Sequence, residues 1–155
     1  MKSKIKNCIF IIAIIFFMIC LMPEKAFAGY QELNKLDFQI DVKENGDIQI
    51  TEFWDIELED TNTLFKTFQK DDGYDGITDV VVKEIKDDKE MDFNKSNEYQ
   101  YHVDENCYQA LENPDGLFEI AWGVNSSYEE RKFKITYTLL NCVTKYNDCA
   151  EIYRQ

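Results

Sequence analysis

The sequence predicts an all-β fold for residues 29–155, namely an antiparallel β-sandwich of the immunoglobulin-like kind. Two observations lead to this prediction. Apolar residues recur at every second position in several segments, which is the periodicity of strands with one buried face. Polar turn residues separate these segments at short intervals, as in proteins built from consecutive antiparallel strands.

The first two of these segments predict a long hairpin. Apolar and polar residues alternate from Phe38 to Val42 and again from Ile48 to Leu58. Glu52 is the one acidic residue on the apolar phase of the second segment. Asn45-Gly46 lies between the segments, and both residue types tolerate the positive φ of a type I′ turn. We therefore expect two antiparallel strands joined by such a turn.

Four later segments also have strand character, and the last of them has the clearest pattern of two faces. These segments are Asp79–Ile85, Tyr99–Val103, Leu117–Val124 and Phe133–Leu139. Trp54 and Trp122 fall on apolar phases, so both tryptophans are expected in the core, where large aromatic side chains contribute most of the burial.

Two clusters of turn residues separate the later strands, at Asn113–Gly116 and at Asn125–Ser127. Two other segments, residues 61–68 and 106–111, are expected to form short helical turns. No internal repeat and no second domain is predicted.

The first 28 residues have the composition of a secretory signal peptide. Three lysines precede an apolar run from Cys8 to Met22, and the small-residue pattern Ala26-Phe27-Ala28 follows it. We expect cleavage after Ala28, which would place residues 29–155 outside the cell or in the cell envelope. The alternative is an uncleaved membrane anchor, but the apolar run is shorter than the roughly 20 residues that a spanning helix needs.

The predicted mature chain is strongly acidic. Removing residues 1–28 takes away four lysines and one glutamate from 17 basic and 30 acidic residues, which leaves 13 and 29 and a formal net charge of −16. Such a surface repels nucleic acids and anionic lipid headgroups, so nucleic-acid binding is not expected. The charge is interpreted first as a solubility feature, and its alternative is a preference for cations or basic partners.

Three cysteines remain after the signal peptide: Cys107, Cys142 and Cys149. In an exported protein an odd number predicts a free thiol or an intermolecular bond. The pair favoured by sequence is Cys142 with Cys149. The alternative is that all three are reduced and buried as small apolar residues.

Most catalytic chemistries find no support in the sequence. His102 is the only histidine, which excludes zinc sites with several histidine ligands. The segment Thr138–Cys142 is similar to the sortase signature, with His102 upstream and Arg154 downstream, although Asn141 replaces a threonine. The alternative function is therefore a secreted, sortase-like cysteine transpeptidase with Cys142 as the nucleophile.

The segment Asp71–Gly76 resembles half of a calcium-binding loop. Gly73 stands at the third position and Val82 at the twelfth, where ligands are needed, so a solvated turn is the preferred interpretation. A calcium-stabilised adhesin module remains a third hypothesis. No catalytic residue, metal ligand or cofactor is assigned from the sequence.

Several segments together resemble the extracellular N-terminal domain of the domain of unknown function 2207 family, which consists of predicted bacterial membrane proteins. Residues 61–66 include Lys66, at a place where family members have a basic residue. The similar segments are Phe38–Val42, Asn45–Glu52, the strand through Trp54, Phe118–Gly123 and Lys134–Tyr137. The resemblance implies an outward-facing β-sandwich that is attached to later membrane helices and has no assigned enzymatic activity.

These observations predict an exported, non-enzymatic binding or interaction ectodomain. Its partner would be an unknown extracellular protein or a cell-envelope ligand. Since the sequence stops before any membrane helix, we expect the domain to be truncated at its C-terminal end. Membrane attachment is expected only if the natural chain continues beyond Gln155.

Overall fold

The computed structural model describes residues 30–69, 73–145 and 150–152. The predicted signal peptide and its cleavage after Ala28 lie outside these residues. The same holds for Cys149, and with it the Cys142–Cys149 pair, for Arg154, and for the start of the Asp71–Gly76 loop. The division of the chain at residue 28 stays a prediction.

The described residues form nine strands and no helix. The all-β, antiparallel fold is thereby confirmed, apart from one short parallel pairing between the fifth and sixth strands. The strands are β1 Tyr30–Val42, β2 Ile48–Phe68, β3 Gly76–Lys86, β4 Lys89–Asp92, β5 Asn94–Ser96, β6 Cys107–Glu112, β7 Phe118–Leu140, β8 Val143–Lys145 and β9 Ala150–Ile152.

The long strands β2 and β7 pair with each other and bend at the same level. Asp60 has a φ of 46° and Asn125 a φ of 42°, and the pairing register shifts between Thr61 and Thr63. Left-handed residues within a strand turn its direction without ending it. Each long strand therefore belongs to two layers of the molecule.

The first layer contains β1, residues 48–59 of β2, residues 128–140 of β7, β3 and β4. The second layer contains residues 61–68 of β2, residues 118–126 of β7, β6 and β5. All the strands from β1 to β7 belong to one hydrogen-bonded sheet, since β2 and β7 continue from one layer into the other. This arrangement is consistent with a sandwich, while the immunoglobulin-like topology stays a prediction.

The hydrophobic core lies between the two layers. The rings of Trp54 and Trp122 meet edge to face at 5.5 Å, and those of Phe68 and Tyr137 at 5.2 Å. Each pair joins one residue of the first layer to one of the second. Trp122 is fully buried and Trp54 packs against the core, so the predicted core positions of both tryptophans are confirmed.

The predicted β1–β2 hairpin is confirmed, but its turn is of another type. Gly46 has a φ of 94° while Asn45 keeps a negative φ, and the Gly46 N–H donates to the Lys43 carbonyl at 3.1 Å. This is a type I turn followed by a left-handed glycine. The Asn45 side chain accepts the Asp47 N–H at 3.2 Å, which satisfies a backbone group within the turn.

Four local predictions were wrong, one of them being the turn at Asn125–Ser127, which lies inside strand β7. Residues 61–68 belong to strand β2 and residues 107–111 to strand β6, so neither segment is a helical turn, and Tyr99–Val103 is a loop rather than a strand. The segments Leu117–Val124 and Phe133–Leu139 are one continuous strand, β7, because Asn125 bends the chain without ending it. The predicted turn at Asn113–Gly116 is confirmed by a hydrogen bond from the Gly116 N–H to the Asn113 carbonyl at 2.9 Å.

Candidate ligand-binding groove and the ion pairs behind it

A loop of residues 97–106, here called the crossing loop, passes over the outer face of the second layer. It passes directly above Gly123 of β7. A Cβ atom added to Gly123 would lie 2.1 Å from the Asp104 carbonyl oxygen and 2.3 Å from that of Val103. A glycine inside a strand is expected where another backbone comes this close, and here it gives the loop its path.

Side chains of the second layer hold the crossing loop in place. The side chain of Gln109 accepts the Gln100 N–H at 2.7 Å and donates to the Gln100 carbonyl at 3.1 Å. The Thr63 hydroxyl accepts the Val103 N–H at 3.0 Å. Gln109 is almost fully buried, so these bonds form in a place of low solvent access. The loop is thereby fixed although it contains no strand.

The crossing loop, the outer face of β2 and the turn at 113–116 enclose a groove of about 550 Å³. Its volume falls in the range of about 300–1,000 Å³ that is usual for ligand sites. Phe65 is 62 % exposed and Tyr101 is 82 % exposed, and Tyr99 and His102 also line the groove. The groove therefore presents aromatic rings to solvent beside polar side chains.

The charged groups that line the groove are acidic. They are Asp60, Asp115 and Glu119, and the described lining residues include no lysine or arginine. Burial raises the pKa of the Tyr99 phenol, and the Glu119 carboxylate nearby raises this pKa further. Burial is the larger of the two causes, and only the Glu119 contribution reflects the negative charge of the groove. The groove is therefore suited to neutral or cationic ligands.

Behind this groove, a buried ion pair joins the two layers. The Glu52 carboxylate on β2 is fully buried and forms an ion pair with Lys66, which lies on the other half of the same strand. The Tyr137 hydroxyl donates to one Glu52 oxygen at 2.6 Å, and Trp54 Nε1 donates to the other at 2.9 Å. A buried carboxylate needs partners of this kind to remain charged.

A second buried ion pair lies beside the bend of β7. Arg131 donates through Nε and Nη2 to the two carboxylate oxygens of Glu84 on β3, both at 2.8 Å. Its Nη1 donates to the Val124 carbonyl at 2.6 Å, next to the left-handed Asn125. Two parallel bonds of this kind are strong and directional. Arg131 thus holds the bend through a backbone group of the second layer.

His102 and Cys142 are the two residues of the transpeptidase hypothesis that the structure describes, and they do not line one site. His102 is exposed and lines the groove. Cys142 is 8 % exposed, its Sγ lies 3.9 Å from the Leu140 carbonyl oxygen, and it does not line the groove. In the described residues there is no group of three or more His, Cys, Asp or Glu that could hold a metal ion.

Sequence reasoning missed the groove and the Arg131–Glu84 pair, although signals for both were present. Glu84 shares the apolar phase of Val80 and Val82, as Arg131 shares the phase of Phe133. A charged residue of opposite sign at a core-facing position in each of two strands predicts a buried ion pair. Gly123, within an otherwise apolar strand, indicated a close backbone approach.

Comparison with known protein families identifies the family to which the chain belongs. The sequence model of one family, described as predicted membrane protein (DUF2207) N-terminal domain, matches residues 32–155. The chain belongs to this family. The resemblance seen in the hairpin and in Lys66 is thereby confirmed, and this member of the family is an N-terminal domain of a predicted membrane protein.

Searches of the curated proteins and of the solved structures gave no significant match. Within the described residues, no helix has the length and the apolar character needed to cross a membrane.

Proposed function

We propose that this member of the DUF2207 family is an exported, non-enzymatic binding domain and that the groove under the crossing loop is its ligand site. The proposed ligand is a basic segment of an extracellular or envelope protein. The observation that supports it is that the exposed rings of Phe65 and Tyr101 lie in a groove that is also lined by carboxylates.

Aromatic rings beside carboxylates form a suitable site for lysine and arginine side chains. A cation over a ring face gains about 0.5–2 kcal/mol, and neighbouring carboxylates add charge-assisted hydrogen bonds. Asp60 and Asp115 lie at the groove and can supply these bonds. The formal net charge of −16 on residues 29–155 attracts a basic partner from a distance, and it opposes nucleic acids.

The fixed path of the crossing loop also supports the proposal. Its Gln100 and Val103 backbone groups are bonded to buried or half-buried side chains of the second layer. A site that is ordered before binding loses less conformational entropy when the ligand arrives. The loop therefore provides the rigidity that a recognition site needs, while Tyr101 remains exposed for contact.

The test is a titration of the ¹⁵N-labelled exported protein with a short peptide of alternating lysine and tyrosine, followed by NMR. The control peptide has glutamine in place of lysine. We expect amide shifts confined to the crossing loop and to β2 around Phe65, with the lysine peptide binding at least about fivefold more tightly, as one or two cation contacts would give. Shifts scattered over all acidic surfaces would contradict a specific site.

Variants separate the groove from general charge attraction. Phe65→Ala combined with Tyr101→Ala should abolish the confined shifts and leave the fold intact, because both side chains are exposed. Tyr128→Ala is the matched control, since Tyr128 is a tyrosine of similar exposure that does not line the groove. Equal losses in the double variant and in Tyr128→Ala would contradict the proposal.

The non-enzymatic part of the proposal is tested at Cys142. The side chain is buried, so a small alkylating reagent should modify it much more slowly in the folded protein than in urea. Rapid modification at neutral pH, at the rate of an activated thiolate, would instead favour the transpeptidase hypothesis. Mass spectrometry of the Cys142 peptide gives the rate directly.

A further inference from the structure

Strand β1 forms one edge of the first layer and leaves apolar side chains uncovered. Among residues 30–69, 73–145 and 150–152, it is hydrogen-bonded to β2 on one side only. Phe38 is 54 % exposed and Ile40 is 60 % exposed, and Val42 is also exposed. These residues stand opposite Glu52, Ile50 and Ile48 of β2 and therefore share the core-facing side of the sheet.

The free edge of β1 is also open for backbone pairing. The Lys43 N–H donates to the Asp47 carbonyl at 2.8 Å, which shows that Lys43 turns its backbone groups toward β2. Backbone direction alternates along a strand, so Leu36, Phe38, Ile40 and Val42 turn theirs toward the free edge. The bulge between Leu33 and Lys35 interrupts only the start of the strand, and β1 contains no proline.

We infer that a second copy of this chain pairs with β1, edge to edge and antiparallel, across a two-fold axis at Phe38. In this register Phe38 lies opposite Phe38 of the second copy, and Leu36 lies opposite Ile40. On the other face, Lys35 lies opposite Asp41. The apolar and the charged pairs are both complementary, and the symmetry forms each unlike pair twice.

Charge selects this register over its neighbours. An axis at Asp37 places that aspartate opposite itself. An axis at Gln39 places Asp37 opposite Asp41 and Lys35 opposite Lys43. Like charges directly opposite each other destabilise a strand pair, so both shifted registers are disfavoured. In the single chain, Lys35 and Lys43 instead pair with Asp37 and Asp41 along the strand, in exposed ion pairs that contribute little.

The dimer should be weak, because an edge of this length buries less than a standard interface. A dissociation constant on the order of 10–100 μM is expected for an interface below about 1,200 Å². Net negative charge on both copies opposes association, but at about 0.15 M salt this repulsion is screened over roughly 8 Å. The direct Lys35–Asp41 contacts lie within that distance.

The test is sedimentation equilibrium of the exported protein over a concentration series, combined with a charge exchange. Lys35→Asp alone and Asp41→Lys alone should each weaken association by at least about fivefold, and the double variant should restore it. Lys86→Asp is the matched control, because Lys86 is exposed and lies away from β1. Phe38→Lys should also give a monomer. Circular dichroism would verify that each variant is folded.

Two results would overturn the inference. One is a protein that stays monomeric at concentrations several times the expected dissociation constant. In that case the edge of β1 would be open to a strand of a different polypeptide. The other is a dimer whose dissociation constant is unchanged in the two single charge variants. A dimer that the single variants weaken but the double variant does not restore would overturn the inference in the same way. Neither result would affect the groove proposal, since β1 contributes only Gln31 to the groove lining, at the other end of the strand from Phe38.

Discussion

The interior between the layers and the outer surface of this domain each depart from the usual distribution of residues at a few positions. The interior contains the Glu52–Lys66 and Arg131–Glu84 ion pairs, while Phe65 and Tyr101 are exposed outside. Apolar residues inside and charged residues outside would be the ordinary distribution. The buried charges make contacts between the layers, through Glu52 with Lys66 and through Arg131 with the Val124 carbonyl, whereas the two exposed rings face solvent.

Removing Glu52 from the interior should have the largest effect on stability. Glu52→Ala leaves Lys66 without its carboxylate and removes the acceptor of the Tyr137 and Trp54 hydrogen bonds. A loss of about 3–5 kcal/mol in the free energy of unfolding is expected, measured by urea denaturation.

The double variant Glu52→Leu with Lys66→Met tests whether the pair itself stabilises the fold. It replaces the ion pair by apolar side chains of similar size, and it should recover the part of the stability that Glu52→Ala loses by burying Lys66 without its carboxylate. The part that comes from the Tyr137 and Trp54 hydrogen bonds should stay lost, because leucine accepts neither bond. A loss below about 1 kcal/mol for Glu52→Ala would show that the layers do not depend on this carboxylate.

Arg131→Met should have the next largest effect. It leaves Glu84 unpaired and frees the Val124 carbonyl at the bend, so we expect a loss of about 2–4 kcal/mol in unfolding free energy. Lys132→Met is the neighbouring control. Its partner Asp55 lies in a more exposed pair, which is worth at most about 1 kcal/mol. Equal losses for the two variants would mean that burial of the Arg131–Glu84 pair is unimportant.

Gly123→Ala should act on the outer surface with a smaller effect on stability. The new methyl group would overlap the Val103 and Asp104 carbonyl oxygens, so the crossing loop must move at a cost of about 1–3 kcal/mol. Hydrogen exchange at the Val103 amide, which is bonded to Thr63, should accelerate. Gly76→Ala is the control, since its Cβ would meet only Leu140 at an ordinary 3.6 Å. Unchanged Val103 protection would contradict this account of the loop.

The smallest effect is expected at an exposed carboxylate on the outside of the first layer. Hydrogen bonds from Lys134 and Lys83 lower the pKa of Glu90 from its ordinary value of 4.5. A lowered acid pKa adds stability that is present above the ordinary value and is lost as the pH falls through the lower folded value. The wild-type melting temperature should therefore fall more than that of Glu90→Gln below about pH 4.5. High salt should reduce the difference, and an unchanged difference would contradict an exposed ion pair.

Much of the fold followed from the alternation of apolar residues, because a half-buried strand imposes this period directly. The hairpin of β1 and β2 and the strand from Phe133 to Leu139 were predicted in this way. The prediction failed at residues 61–68, where Lys66 occupies a position that faces the core. Lys66 faces inward with Leu64 and Phe68, and its partner Glu52 lies on another part of the strand, so residues 61–68 did not look like a strand.

The groove was less predictable than the fold. Tyr99, Tyr101 and Val103 have the spacing of a strand, but the Gln100 backbone between them is bonded to the Gln109 side chain instead of to another strand. Such a bond depends on a contact between separate parts of the chain, and no local pattern encodes it. Gly123 was the one local sign that a second backbone passes over β7.

The pairing of β2 with β7 along both layers also determines the order in which this domain can form. Ile48 pairs with Leu139 and Phe68 pairs with Phe118, so both layers need contacts between distant parts of the sequence. A chain that is synthesised from its N-terminus exposes β1 and β2 long before the end of β7 is made. Folds dominated by such distant pairings form slowly, and their early apolar strands are open to aggregation. We expect the domain to depend on protection by other proteins until residue 140 has been made.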